Sequence, residues 1–262
     1  IVIYNFIVKN RKEIPKKTLI YKIQYVAAKT VIWTVERVVL LFIKNESFID
    51  PSQFAWTKIL EENTDIIRAD FLKLWNEKSV DNIDVTILSE EQRTSVDKDN
   101  WYTIPFYIWG AKFSAMHELA PRTGKLLEEI PDITTAFFSI LKPHSVIKPH
   151  FGVINGYIRY HLGVIVPEDY NQCAIQVRDI KYHWRERESM IFDHRHQHEA
   201  WNKSNEMRVV LLVDTIRPLP APLRWFMIFF TKKLSKSPYA QNMLKHLEDL
   251  GHSSEISYLE FK

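Results

Sequence analysis

The sequence between residues 134 and 214 is a succession of short β-branched and aromatic runs separated by turn residues. The predicted strands cover residues 134–141, 157–166, 173–177, 189–192 and 208–214. No helical pattern lies between them. Strands connected in this way bury their apolar faces by forming a sandwich or a closed barrel. The central part of the chain is therefore predicted to be mainly β.

Helical patterns flank this region on both sides. Residues 16–44 contain neither Pro nor Gly and carry apolar residues at helical spacing. Further helices are predicted from the Asp50-Pro51-Ser52 cap to about residue 75, and over the three ranges 120–130, 222–236 and 238–250. We therefore expect an N-terminal helical extension (1–46), a central domain (47–218) and a C-terminal helical tail (219–262).

Residues 76–100 and 101–109 separate the second helix from the third. The first range is polar, with Asp and Ser clusters, and is predicted to be a loop. The second range is rich in aromatic residues and is predicted to be a strand. Pro105 cannot donate to a strand ladder, so it should lie at an edge or a bulge.

Charge and cysteine content limit the partners and the compartment. A net charge of +3 over 262 residues, without a dense Lys/Arg block, gives no indication of a nucleic-acid partner. The single cysteine, Cys173, excludes an internal disulfide and fits a reducing, cytoplasmic location. Because the chain begins with Ile1, a preceding signal or anchor stays an open question.

Two apolar segments leave peripheral membrane contact open. Glu36 and Arg37 interrupt the most apolar stretch, so a membrane-spanning helix is not expected. Residues 16–44 would either pack on the central domain, which we favour, or lie on a membrane surface with their lysines near lipid headgroups. Residues 223–230, which are followed by several lysines, allow the same two interpretations.

Arginine and histidine lie within two otherwise apolar strands. Because side chains alternate along a strand, Arg159, His161 and Gly163 should share one face of strand 157–166. Arg208 opens the apolar run 209–213. A buried guanidinium needs an anion, so each arginine predicts a bound ligand or a counter-charge.

Five histidines in the strand-rich region are candidate metal ligands. His194, His196 and His198 would share one face if their segment were extended, and His144 and His150 offer two further donors. Spacing alone does not choose among them. Imidazoles can hold a redox metal and arginines can hold carboxylates, so the combination suggests an oxygenase. A zinc hydrolase would leave the buried arginines unexplained.

The stretch from residue 139 to residue 218 resembles the aspartyl/asparaginyl β-hydroxylase family of iron(II)- and 2-oxoglutarate-dependent oxygenases. Five segments carry the resemblance in order: Phe-Ser-Ile (138–140), Pro-His-x-Gly (149–152), Arg-x-His-Leu-Gly (159–163), Ile-Phe-Asp with His-Glu-x-Trp (191–201), and the strand ending in Asp-x-x-x-Pro (208–218). The resemblance implies a double-stranded β-helix, that is, a cupin-like jelly roll. It also implies Fe(II), 2-oxoglutarate and O2 as cofactor and cosubstrates.

The resemblance also implies roles for the residues at matching positions. Arg208 falls on the arginine that pairs with the distal carboxylate of 2-oxoglutarate, and Ser139 falls on the serine that assists it. Arg159 and His161 fall on residues that line the cosubstrate pocket. Trp101 falls on a pocket tryptophan.

The two iron-binding positions of the family fall on His150 and His198. Most such oxygenases add a carboxylate two residues after the first histidine, and that position is Gly152 here. Animal members of the family share this absence, and water is thought to fill the site, whereas bacterial lipid A acyl hydroxylases often keep an aspartate. Gly152 therefore favours the peptide-type branch. The occupant opposite it stays open.

Three functions follow from the resemblance. The first is hydroxylation of an unactivated C–H bond, at the β-carbon of an Asp- or Asn-type residue in a peptide or protein. The second is hydroxylation of a lipid A-type acyl chain at a membrane surface. The third is a binding protein without catalysis, which the retained His150, His198 and Arg208 argue against. Residues 76–100 and 169–172 carry no pattern that identifies the substrate.

Overall fold

The fold is taken from a computed structural model that describes residues 30, 33–76, 100–152, 154–236, 240, 241 and 245. Its strands form two antiparallel sheets, ordered β1-β9-β6-β11-β4-β2-β3 and β5-β10-β7-β8. Their bounds are β1 Phe48–Ile49, β2 Trp101–Ile108, β3 Ala111–Lys112, β4 Ile133–Leu141, β5 Ser145–His150, β6 Tyr157–Ile165, β7 Cys173–Val177, β8 Ile180–His183, β9 Ser189–Phe192, β10 His198–Asn202 and β11 Arg208–Ile216.

The chain winds back and forth between the two sheets. β4, β6, β9 and β11 belong to the seven-stranded sheet, whereas β5, β7, β8 and β10 form the four-stranded sheet. Every paired strand is antiparallel to its neighbour, and the two central pairs of the larger sheet, β11 with β4 and β11 with β6, are the longest. This winding is that of a double-stranded β-helix. The predicted jelly-roll fold, mainly β with flanking helices, is therefore confirmed.

The seven-stranded sheet has an outer face covered by helices and an inner face that looks into the roll. On β6, Tyr160 and Leu162 belong to the outer core, while Arg159 and His161 alternate with them. On β11, Val209 and Leu211 are outer residues and Val210 is an inner one. The alternation predicted for Arg159, His161 and Gly163 thus directs the Arg159 and His161 side chains into the roll.

Five helices are described from end to end: α1 Ala55–Glu62, α2 Thr64–Asn76, α3 Ser114–Leu119, α4 Pro121–Glu128 and α5 Ala221–Ser235. Buried apolar residues of α1 to α4 join the outer core of the larger sheet. One continuous helix was predicted over 51–75, and this is wrong. The chain forms a short 3-10 turn at Pro51–Gln53 and then two helices separated at Asn63. Asn63 leaves helical geometry, and its side-chain amide donates to the Ile59 carbonyl at 2.8 Å.

The strands predicted from apolar runs agree with the structure, whereas the two-residue strands β1 and β3 and the more polar strands were missed. Strands β7 and β9 have the predicted bounds, and the other predicted strands differ at their ends by two residues or fewer. β5, β8 and β10 were not predicted, because each carries polar or charged residues on its exposed face. Pro105 lies where the pairing of β2 with β4 shifts register, as expected for a proline at a bulge.

The described parts of the two terminal segments pack against each other. Residues 33–40 are helical, and Val39 shares an apolar cluster with Met227 and Leu234 of α5. In the described ranges no helix is long and apolar enough to cross a membrane. Most of the predicted loop 76–100 and most of the predicted helices 16–44 and 238–250 lie outside the described residues. The proposed division at residues 46 and 218 stays a prediction.

Candidate active site

The interior of the roll combines an apolar wall with charged and imidazole side chains. Its buried apolar cluster draws on both sheets: Trp101, Leu141, Ile147, Cys173, Ile175, Val177, Trp184, Met190, Phe192, Ala200 and Val210. All seven residues predicted from the sequence lie on strands of the roll or on β2 beside it. Six of them are buried, and His150 is half-buried at the end of β5.

His150 and His198 lie side by side on two neighbouring strands of the four-stranded sheet. The two residues are register partners in β5 and β10, and their ring centroids are 4.1 Å apart. Ile147 pairs with Ala200. Between these two register pairs β5 advances by three residues, from Ile147 to His150, whereas β10 spans only two, from Ala200 to His198. This bulge restores the alternation and lets both imidazoles point into the roll. The sequence match of these two histidines is thus accompanied by direct proximity.

Backbone hydrogen bonds define the tautomers of both rings. Nδ1 of His150 lies 2.9 Å from the Lys148 carbonyl, and Nδ1 of His198 lies 2.8 Å from the His196 carbonyl. A carbonyl only accepts, so each Nδ1 carries the proton and each Nε2 bears a lone pair. Burial lowers the pKa of both rings, and that of His198 falls well below its usual value. Both imidazoles are therefore neutral at pH 7.

This pair fits a divalent transition metal held by two imidazoles. Nε2 of His198 is buried without a hydrogen-bond partner, which suits an atom that binds a metal. Within the described ranges, no group of three or more His, Cys, Asp or Glu side chains is arranged to hold a metal ion. The protein would therefore supply two donors and leave the other coordination positions to water or to a chelating ligand.

Within the described ranges, none of the other three candidate histidines joins this pair in a metal-binding group. His144 is exposed and bonds Asn205 through Nε2 at 2.9 Å. The segment that contains His194 and His196 is a turn, so the shared face predicted for an extended segment does not form. His194 is buried, and its Nε2 bonds the Ile154 carbonyl at 3.1 Å.

Gly152 leaves the space that His194 occupies. A Cβ at this position would lie 2.5 Å from Cγ of the His194 ring, and the Gly152 amide donates to the His194 carbonyl at 2.6 Å. A longer side chain cannot enter without displacing a buried imidazole. The His194 ring therefore occupies the space that a carboxylate side chain at position 152 would need.

We expect Gly152→Asp to destabilise the protein rather than to complete a metal triad. The unfolding free energy should fall by about 1–3 kcal/mol, because the new side chain overpacks against His194. The double variant with His194→Ala should recover part of that loss, so the two changes should be non-additive. Urea denaturation in the presence of a chelator measures this, with His194→Ala alone as the control. Unchanged stability together with tighter metal binding would contradict the steric argument.

Arg208 is a buried cation without an acidic partner among the described residues. It is 1% exposed, and no Asp or Glu of the described ranges lies within ion-pair distance. Its Nη1 donates to the carbonyl and the hydroxyl of Ser139 at 3.2 and 3.3 Å, while its Nε has no partner. Burial lowers the pKa of Arg208 to about 10, so the guanidinium stays charged at pH 7. A buried, uncompensated cation of this kind suits a carboxylate ligand.

One tryptophan contacts this guanidinium, and a second holds its Ser139 partner. The Trp101 indole donates to the Ser139 hydroxyl at 2.8 Å, which links three of the predicted pocket residues. The Arg208 guanidinium carbon lies 4.5 Å from the ring centroid of Trp184. Trp184 was not identified from the sequence, since it stands in a polar segment with no strand pattern.

Trp184 also determines which nitrogen of His161 carries the proton. The indole N–H can only donate, and it lies 3.3 Å from Nδ1 of His161. The proton of the neutral ring is therefore on Nε2, which is buried and has no partner. Burial and the nearby Arg208 and Arg159 charges lower the pKa of His161 well below its usual value. His161 thus offers a hydrogen-bond donor, whereas Nε2 of His150 and of His198 is an acceptor.

Arg159 already has a counter-charge. Its Nε and Nη2 donate to the two carboxylate oxygens of Asp214, both at 2.7 Å, from the adjacent strand β11. The sequence predicted a ligand or a counter-charge for each arginine. Asp214 supplies it for Arg159, whereas no acidic side chain in the described ranges does so for Arg208. Arg208 is therefore the stronger candidate for binding a free carboxylate.

Phe192 connects the imidazole pair with the arginine pocket. Its ring centroid lies 5.2 Å from that of His198 and 5.2 Å from that of His161. His161 in turn lies 6.1 Å from the Trp184 ring that covers Arg208. The two groups of residues therefore belong to one contiguous interior.

Comparison with known proteins shows which family the sequence matches. Residues 61–218 match the sequence model of the family described as aspartyl/asparaginyl beta-hydroxylase. The ornithine lipid ester-linked acyl 2-hydroxylase of Rhizobium tropici is 35% identical over 181 residues, which are 69% of this chain and 64% of that protein. The human aspartyl/asparaginyl beta-hydroxylase is 27% identical over 188 residues, 69% of this chain and 24% of its own length.

The chain thus spans less than two thirds of the length of either relative. Among solved structures, a Pseudomonas putida prolyl-4-hydroxylase has a TM-score of 0.39 at 12% identity, over 62% of this chain and 100% of that chain, which is too low to support a conclusion. The family match covers more than half of the chain and includes strands β2 to β11. The chain belongs to the aspartyl/asparaginyl beta-hydroxylase family.

Proposed function

We propose that this protein is an iron(II)- and 2-oxoglutarate-dependent dioxygenase that hydroxylates an unactivated C–H bond. The observation that carries the proposal is the pairing of His150 with His198, each with its Nε2 lone pair available, in the same interior as Arg208, a buried cation with no acidic partner among the described residues. A hydrolase would not need a buried guanidinium without a counter-charge. The hydroxylases among its relatives support the same reaction class.

The chain's own residues prepare the site in three ways. Carbonyl groups of Lys148 and His196 orient the two imidazoles, so that Nε2 of each can hold the metal. Arg208 and the Ser139 hydroxyl would bind the distal carboxylate of 2-oxoglutarate, and the Nε2–H of His161 offers a further donor to it. When bound, ferrous iron with 2-oxoglutarate and O2 supplies the oxidising power for C–H hydroxylation.

The apolar wall of the roll protects this chemistry. Phe192, Trp184 and Met190 are buried around the polar groups and exclude bulk water from the interior. A dry cavity strengthens the attraction between Arg208 and a carboxylate, and it limits quenching of reactive species by solvent. Trp101 adds to this wall while it holds the Ser139 hydroxyl through its indole N–H.

The substrate we propose first is the acyl chain of a lipid. Support comes from the Rhizobium tropici relative, whose 35% identity exceeds the 27% of the human one over a similar length. The second candidate is an Asp- or Asn-type residue of a peptide or protein. It is favoured by Gly152, which stands where animal members of the family also lack the carboxylate. The retained histidines and arginine argue against an inactive binding protein.

Succinate release tests this function. Purified protein loaded with Fe(II) is supplied with 2-oxoglutarate and O2, and is offered acylated lipids and Asp/Asn-containing peptides in parallel. We expect succinate formation that requires iron and rises with the lipid, together with a product heavier by one oxygen atom. Stimulation by the peptides alone would select the second candidate. Succinate no higher than in the metal-free control, with every substrate, would contradict the dioxygenase assignment.

A further inference from the structure

Exposed aromatic and aliphatic side chains are concentrated on two neighbouring helical segments. Trp33, Leu41 and Phe42 lie on residues 33–42, and Trp225 and Phe229 lie on α5; each is more than half exposed. These five are half of the large exposed hydrophobic residues in the described parts of the chain. Isolated apolar residues on a surface are ordinary, but such a concentration indicates a binding surface.

Both segments use a different face for packing on the protein. On α5, Met227, Thr231 and Leu234 are buried at helical spacing, while Trp225 and Phe229 follow the opposite side. On residues 33–40, Val39 is buried and Val35 packs beside it. The exposed aromatic residues therefore do not belong to the apolar cluster that packs these helical segments on the protein. They form a second apolar face whose partner is not part of the described structure.

The two segments are adjacent along their packed sides. Val35 and Val39 line a narrow cavity together with Phe226 and Phe230 of α5. The same residues join one apolar cluster, which also contains Ile154 and Tyr157. We call the surface formed by Trp33, Leu41, Phe42, Trp225 and Phe229 the aromatic face.

Cations accompany the aromatic face. The Arg37 guanidinium lies 5.4 Å from the centroid of the Trp33 ring, and the Lys233 ammonium lies 5.4 Å from that of Phe229. Lys232, Lys233 and Lys236 are exposed at the end of α5. Of the acidic residues nearby, Glu36 is half-buried towards the cavity, and Asp132 is paired with Arg224.

We infer that the aromatic face binds the surface of a bilayer containing anionic lipids. Tryptophan and phenylalanine beside lysine and arginine match the level of a bilayer where acyl chains meet charged headgroups. An excess of exposed cations over acids is complementary to anionic phosphates. A peptide or protein partner would need a specific shape, whereas a fluid bilayer accepts two convex helical surfaces.

The aromatic face is connected to the candidate active site through the loop after His150. Ile154 and Gly156 line the cavity between the two helical segments, and the Ile154 carbonyl accepts from His194, which packs over Gly152. Tyr157, at the start of β6, bonds Thr231 of α5 at 2.6 Å. A bilayer bound at this face would therefore be separated from the loop by α5, whose buried side contacts Gly156 through Met227. Relevance to the candidate active site rests on the proposed function, whereas membrane binding itself does not.

Vesicle flotation of the full chain tests the inference. Vesicles of phosphatidylcholine alone are compared with vesicles of equal parts phosphatidylcholine and phosphatidylglycerol. We expect binding to the anionic vesicles that weakens with added salt. Trp225→Ser with Phe229→Ser should reduce it at least about tenfold. Lys232→Glu with Lys233→Glu should remove the preference for anionic vesicles.

Exposed apolar residues of the four-stranded sheet provide the matched control. Val146→Ser with Ile180→Ser removes two such residues from β5 and β8 and should leave vesicle binding unchanged. Absence of binding by the wild type, or equal losses in control and aromatic-face variants, would overturn the inference. So would a dimer in sedimentation velocity that the aromatic-face variants dissociate, since a second copy would then be the occupant.

Binding of 2-oxoglutarate, measured on the same preparations, separates the two proposals. Vesicle binding without cosubstrate binding would reject the proposed function and keep the aromatic face. Cosubstrate binding without vesicle binding would do the reverse. The Trp225 and Phe229 variants should keep wild-type affinity for 2-oxoglutarate, because neither residue contributes to the interior of the roll.

Discussion

Replacing His150 or His198 with alanine should reduce 2-oxoglutarate turnover at least about 100-fold. The two rings are cross-strand neighbours with centroids 4.1 Å apart, and both present an Nε2 lone pair. With only two protein donors available in the described ranges, loss of either leaves a single imidazole, which cannot hold ferrous iron tightly. Succinate release measures the turnover, and equilibrium dialysis with Fe(II) measures the metal.

His144→Ala provides the matched control for this experiment. His144 is an exposed histidine of the same region that bonds Asn205, and its loss should change neither metal binding nor turnover. Circular dichroism establishes that each variant is folded. Persistent succinate production in the His150 or the His198 variant, at a level near that of the control, would show that other side chains hold the metal.

Removing the Arg208 cation should weaken 2-oxoglutarate binding while metal binding survives. Loss of one partner from a buried charge pair typically destabilises it by about 2–5 kcal/mol, which corresponds to a roughly 30- to 4,000-fold rise in Kd. Arg208→Ala should fall in this range. Arg208→Lys should be intermediate, because an ammonium keeps the charge but loses the planar fork. Calorimetric titration of 2-oxoglutarate under anaerobic conditions measures the affinity.

The same position provides a second readout that does not depend on activity. Arg208 is buried without an acidic partner in the described ranges, so its charge is held at the expense of folding stability. We therefore expect Arg208→Met to leave the unfolding free energy of the ligand-free protein within about 1 kcal/mol of the wild type, or to increase it. Asp214→Asn, which breaks the Arg159 pair, should lower stability instead. A large loss in Arg208→Met with unchanged 2-oxoglutarate affinity would make Arg208 a structural residue.

The apolar strands of the roll could be predicted because their residues are buried on both faces. β7 and β9 have the predicted bounds, and both supply residues to the interior cluster. β5 and β10, which carry the histidine pair, were not predicted as strands. β5 exposes Lys148 and Pro149 between its buried positions, so it lacks the composition of a strand. Its pairing depends on long-range register, which the sequence does not reveal.

Some features of the candidate site could likewise be predicted from the sequence, and others could not. Alternation along β6 correctly predicts that Arg159 and His161 share one face, and the buried guanidinium predicts a counter-charge, which Asp214 supplies. The tautomers of His150 and His198 follow from carbonyls only two residues away, but the meeting of the two rings depends on the register and the bulge of β5 against β10. The orientation of His161 depends on Trp184, which is distant in sequence, so spacing could not have predicted it. Trp184 was missed because it stands in a polar segment with no strand pattern.

The central claim is that one interior holds a metal on His150 and His198 and a dicarboxylate on Arg208. Its most direct test is anaerobic titration of 2-oxoglutarate into the protein with and without Fe(II). The account predicts one binding site per chain, with affinity that rises when iron is present and falls in His198→Ala and Arg208→Ala alike. Binding that is identical with and without iron, or that neither substitution changes, would contradict it.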